Sequence, residues 1–189
     1  MSLKIGLKRF LLLLIFFLLA PCQTVLGETS NGASWQCVES HHAIIKYETL
    51  KGLERFDDNI YFSPSEWGLK RLFSFLGSKD PIESVKEKVD AIFERVQDIL
   101  NMHRRMNKVV INIYPNKKRF YEVNRIIGKN RRVRSWYVFE RNTIYINAED
   151  VHEGILAHEL AHAIIDHYLA VRPPRATAEI LARYVDKHL

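Results

Sequence analysis

The sequence predicts an α+β domain, a small mixed sheet packed on two long helices. Three observations carry that prediction. Val85, Val89, Ile92, Val96, Ile99, His103 and Met106 follow steps of three and four, the period of one buried helical face. Residues 109–114 alternate β-branched and polar side chains, the period of a strand. Residues 151–171 carry Ile155, Leu156, Leu160, Ile164, Ile165 and Leu169 on several sides, so a helix built from them is buried. With 189 residues, 47% hydrophobic and 26% charged, the chain suits one globular domain with or without a targeting segment. It shows no internal repeat of solenoid length.

Residues 1–27 read as a signal peptide rather than as part of the domain, which is then 28–189. Lys4, Lys8 and Arg9 form a basic start, Phe10 to Ala20 an unbroken apolar run, and Val25-Leu26-Gly27 a small-residue end that places cleavage before Glu28. The apolar run is short for a membrane span, and an uncleaved N-terminal anchor is the rival reading. A lipid-modified Cys22 fits less well because Pro21 precedes it. The expected location is exported: periplasmic, secreted, or anchored facing outside the cytoplasm. Removing the three basic residues of 1–27 leaves 25 basic against 22 acidic, a net charge of +3. The basicity is thus partly that of the leader, and nucleic acid is not an expected partner. Cys37 is then the lone cysteine, with no internal disulfide open to it; a bridge between chains is the minor alternative.

Along the domain, residues 28–38 read as a loose polar lead-in and His42 to Tyr47 as a first strand. A short extended piece follows at 59–62, and a short amphipathic helix at 65–76. Asp80, Pro81 and Glu83 start the long helix over 82–106, on which His103 reads as a core or rim histidine. After the strand 109–114 comes a short helix at 119–127. Gly128 to Ser135 is a basic loop with Lys129, Arg131, Arg132 and Arg134, read as a solvated turn; a surface for an anionic partner is the alternative. Strands at 136–139 and 143–146 form a hairpin joined by Glu140-Arg141-Asn142. Asp150 and Glu153 have capping-box spacing at the start of the helix 151–171. Pro173-Pro174 stops that helix, and a last helix spans about 177–187.

The chemistry lies in His158-Glu159-Leu160-Ala161-His162. Residues four apart stack on one helix face, so both imidazoles can reach one zinc ion. Glu159 is about 100° further round the axis. There it can flank the metal without ligating it and act as general base for a bound water. A catalytic zinc site needs a third protein ligand and an open position. Tyr168 and Ile165 stand where the longer metzincin pattern needs His and Gly, so that form is excluded. His167 points to another face. Asp166, four past His162, reads as an acceptor for an imidazole N–H or as a helix-surface charge. Glu179, beyond the Pro-Pro turn on an alanine-rich helix, is the best third ligand, with Asp186 and His188 as fallbacks.

His158-Glu159-x-x-His162 with Glu179 on a separate helix resembles the gluzincin metallopeptidases, the thermolysin-like site, and more the compact peptidase-MA-like members than a two-lobed enzyme. The resemblance covers about residues 109–189. It implies a zincin-like fold, with residues 143–147 as the edge strand beside the active-site helix and a C-terminal helix carrying the third ligand. It also implies one Zn2+ and hydrolysis of peptide bonds by activated water, with Glu159 as base and a peptide or protein as substrate. The edge strand would hold the peptide by strand addition. One departure is Arg183, where the thermolysin-like pattern has an Asp four residues after its glutamate; Asp166 or Asp186 is left for that supporting role. Tyr184, His152 and Tyr168 are the candidates for steadying an oxyanion. Two alternatives stand beside the peptidase: an exported zinc-binding module without turnover, and a zinc hydrolase of a non-peptide substrate. A membrane enters only through an uncleaved N-terminal segment, and the pattern says nothing of oligomeric state.

N-terminal sequencing of the protein from its native host should find a chain beginning near Glu28 outside the cytoplasm. Met1 retained in a membrane fraction would establish the anchor instead.

Overall fold

Alternate residues of two segments are buried on one side: Ala43, Ile45 and Tyr47, and Val109, Ile111 and Ile113. That is the period of strands with one face on a core, and these two pair side by side in a five-stranded mixed sheet. The structure, a computed structural model, describes residues 34–62, 80–126 and 133–189, and Ser34–Leu189 form one unit. The elements in chain order are β1 (Gln36–Glu39), β2 (Ala43–Tyr47), α1 (Leu50–Asn59), α2 (Pro81–Leu100), β3 (Val109–Tyr114), α3 (Lys117–Ile126), β4 (Ser135–Val138), β5 (Thr143–Asn147), α4 (Glu153–Tyr168) and α5 (Arg175–His188). A 3-10 turn, Phe139–Arg141, joins β4 to β5. The strand order is β1-β2-β3-β5-β4. β2, β3 and β5 run parallel, and β1 and β4 pair antiparallel at the two ends. The fold is therefore α+β on a mixed sheet, as the sequence predicts.

The edge is not where the sequence places it. β5, residues 143–147, lies between β3 and β4, and the strand beside α4 at the end of the sheet is β4. All five residues of β5 are buried, which suits a strand covered on both faces. Asn142 turns the hairpin in the left-handed region (φ 44°). Its amide donates to the carbonyls of Asn107 and Lys108 and its Oδ1 accepts from the Tyr137 hydroxyl.

The two faces of the sheet carry different cores. On one, Ile45, Ile111, Ile113, Ile144 and Ile146 pack with Leu53 and Phe56 of α1, Ile92 and Val96 of α2, Leu156 and Leu160 of α4, and Val185 of α5. On the other, Tyr114, Phe120, Trp136 and Tyr145 form an aromatic cluster under α3. Trp136 stacks on Tyr145 with centroids 4.9 Å apart and planes 5° apart. Arg119 of α3 donates from Nε to the buried Glu48 carboxylate at 2.8 and 3.1 Å, tying α3 to the end of β2.

Asp80 caps α2 as expected, its carboxylate accepting from Ile82 N at 3.0 Å, with Pro81 in the first turn. The helix ends earlier than its stripe, at Leu100, because Asn101 turns left-handed (φ 50°). His103 is consequently outside the helix, exposed and 3.4 Å from Asp98 rather than on a buried face. The capping box at α4 is not formed. His152 is the N-cap, while Asp150 accepts from the Asn147 amide at 3.1 Å and pairs with Lys117 at 2.9 Å. Glu153 accepts instead from the Tyr61 N–H. β1 begins within the expected lead-in and runs one residue past it, to Glu39. α1, capped by the Thr49 hydroxyl on Gly52 N, ends at Asn59, where an extended piece was expected to begin. The expected helix at 65–76 and most of the basic loop lie outside the described residues. Among the described residues no helix is long and apolar enough to cross a membrane.

Ile146, 0% exposed on a central strand, and Asp80, a cap, give a ranked pair. Ile146→Ala should cost about 2–5 kcal/mol and Asp80→Ala about 1 kcal/mol in urea denaturation. The reverse order would contradict this placement of the core.

Candidate metal centre

α4 is an almost wholly buried helix, with Leu156, Ala157, Leu160, Ala161, Ala163, Ile164 and Ile165 all inside. His158 and His162 stack on the one side that stays half-open. Their Nε2 atoms are 3.2 Å apart. Two ligand atoms each about 2.0–2.1 Å from a tetrahedral zinc lie roughly 3.3–3.4 Å apart. Pro173 and Pro174 reverse the chain, and α5 packs against α4, with Ala178 and Ala182 of α5 buried. That approach brings Glu179 to the histidines: Oε2 is 3.6 Å from His158 Nε2 and Oε1 is 3.8 Å from His162 Nε2. One donor atom from each of the three lies within 4.8 Å of the others. Two imidazoles and a carboxylate are a donor set that suits zinc.

The surroundings disfavour a proton on either imidazole. Burial, the largest cause, lowers the pKa of both histidines below the ordinary value. For His158 the charges of Glu179 and Asp186 oppose this and Arg183 adds to it. For His162 the neighbouring His158 adds to it, while Glu179 and Asp166 oppose it. Arg183, the departure from the thermolysin-like pattern, thus disfavours a proton on His158. Arg175 stands 3.9 Å from Glu179 Oε1.

Glu159 points to a different neighbour. It is 7% exposed, and its Oε1 accepts from the Ser135 hydroxyl at 2.6 Å. Ser135 opens β4, so the strand that flanks α4 positions the carboxylate. The next inward residue of β4, Tyr137, places its hydroxyl 3.2 Å from His167 Nε2, and burial raises the Tyr137 pKa. His167 also faces the Phe139 ring, away from His158 and His162. The sequence reading of Asp166 needs correction. It is neither a surface charge nor an imidazole's acceptor, but a buried carboxylate paired with Arg172 at 3.2 Å.

The fallback ligands go elsewhere. His188 Nδ1 lies 2.7 Å from the Tyr184 carbonyl, and Asp186 Oδ1 lies so close to Gly154 that a Cβ there would clash with it. Gly154 therefore lets α5 close on the start of α4. Tyr184 stacks on His188. His152 and Tyr168 each stand six residues from one of the two histidines, about 9 Å along the helix axis. Ser135 is the residue that sequence reasoning missed. It closes a basic run, and its only signal is parity: a residue next to a buried Trp136 must face the other side of the sheet.

Compared with known proteins, the chain matches no family model, and no curated protein or solved structure is similar to it.

Removing the Ser135 hydroxyl takes a donor from a buried carboxylate. Ser135→Ala should lower stability by about 1–3 kcal/mol in urea denaturation, and Ser135→Thr should restore much of it. Unchanged stability in the alanine variant would mean the contact is not maintained in solution.

Proposed function

We propose that the chain is an exported zinc-dependent metallopeptidase, with His158, His162 and Glu179 as ligands and Glu159 as general base. The observation that carries this reading is the convergence of Glu179, from a separate helix, on two histidines one turn apart. The arrangement of β4, α4 and α5 is read as zincin-like: an antiparallel edge strand beside the helix that bears the histidines, and a following helix that bears the carboxylate. The leader-like order of residues 1–27 supports export.

A zinc ion held by His158, His162 and Glu179 would supply Lewis acidity and lower the pKa of a water there toward neutrality. Glu159 takes the proton of the attacking water and delivers it to the leaving amine. The Ser135 hydroxyl fixes the direction of that carboxylate before substrate arrives. β4 ends the sheet among the described strands, so its outer edge can align an extended peptide beside α4. An alignment on β4 replaces the one expected on residues 143–147.

Two variants test the assignment in a peptide-library digestion combined with metal analysis. Glu159→Gln should reduce cleavage by roughly 10²–10⁴-fold while zinc remains bound. Glu179→Ala should weaken zinc binding at least about tenfold and abolish turnover. Full zinc occupancy and turnover in Glu179→Ala would overturn the ligand set. A function indifferent to Glu159→Gln would identify a binding module, and cleavage of only non-peptide substrates a different hydrolase.

A further inference from the structure

We propose a second divalent-metal site, independent of the first, formed by His41 and His42 in the β1–β2 turn and Glu94 on α2. His41 Nδ1 and His42 Nε2 are 3.1 Å apart, and Glu94 Oε1 is 3.6 Å from His42 Nε2. All three residues offer a ligand atom within 4.8 Å of the others. The imidazole–imidazole separation and the shorter imidazole–carboxylate separation are close to those of His158, His162 and Glu179, and the donor types are the same. Two imidazole nitrogens this close either share a proton or share a metal ion.

The turn is held in place before any ion arrives. Asp90, one helical turn before Glu94, accepts from the Ser40 hydroxyl at 2.8 Å and from the backbone N–H groups of His41 and His42 at 2.9 Å each. Lys108 Nζ donates to the Ser40 carbonyl at 2.6 Å, and Val109 N donates to the His42 carbonyl at 3.0 Å. The His42 ring stacks on Phe93, centroids 4.3 Å apart and planes 11° apart, and Phe93 is buried. Asp90, Phe93 and Glu94 share one face of α2 by their spacing, so one helix face supplies the clamp, the platform and the carboxylate. Such backing is what fixes the orientation of metal ligands.

The chemistry selects a zinc-class transition ion, since imidazole and carboxylate donors together suit Zn2+, Cu2+ or Ni2+. His41 is exposed, so water completes the coordination. An ion there ties the β1–β2 hairpin to α2, and it stabilises the fold by mass action because the unfolded chain lacks the site.

The test titrates the metal-free protein with Zn2+ alone, following stoichiometry and melting temperature. Glu94→Gln and His41→Ala, both at accessible side chains, should each weaken one equivalent at least about tenfold. Each should also reduce the zinc-induced rise in melting temperature. That equivalent should persist in a His158→Ala, His162→Ala variant, which separates this site from the proposed catalytic one. If Glu94→Gln and His41→Ala bind zinc as the unaltered protein does, the His41–His42 contact is an imidazole hydrogen bond and the proposal falls.

Discussion

Everything around α4 follows from one constraint: a helix buried on nearly every side carries three histidines, two glutamates and an aspartate. Polar groups inside a protein cost kilocalories unless they are matched. The helix sorts its polar groups by direction, and a separate element answers each. Ser135 of β4 meets Glu159, Arg172 beyond the helix end meets Asp166, and Tyr137 meets His167. His158 and His162 face each other and Glu179. The docking of α5 on α4, with small Ala178 and Ala182 buried on α5, is the condition for that last match.

The charged rim of the centre follows from the same docking. Arg175, Glu179 and Arg183 stand four apart on α5, hence on one face, so the carboxylate that approaches the histidines is bracketed by two cations. Asp186, one turn past Ala182, reaches the start of α4 because Gly154 has no side chain there. Two charges of opposite sign, Arg183 and Asp186, then act on His158 from a single helix.

What could be read from the sequence was local. The His158–His162 pair depends on a four-residue spacing, and the approach of Glu179 depends on a two-proline reversal, both visible in the letters. The cap at Asp80 and the strands at 109–114 and 143–147 are of the same kind. β1 escaped because three of its four residues are exposed and leave no apolar signal. α1 escaped because Gly52 interrupts a short, charged segment. The identity of the edge strand is non-local: β5 reaches β3 and closes it in parallel, leaving β4 outside, and nothing within either strand encodes that choice. Asp150 was misassigned because Asn147, three residues earlier, competes for its carboxylate. Ser135 needed both pieces of non-local information, the parity of β4 and the neighbour across from it.

β4 is only four residues long, yet it faces two unlike environments. Its Trp136 is locked in the aromatic cluster by the stack on Tyr145, while Ser135 and Tyr137 look toward α4. Slippage of a strand by one residue exchanges its faces. An indole would then occupy the place of the serine hydroxyl, and the glutamate would meet a hydrocarbon wall. The ring stack on the far side of the sheet thus acts as an indexing pin for a carboxylate contact it never touches. Variation among the aromatic residues at the back of the molecule would be felt first as a misaligned carboxylate at the front.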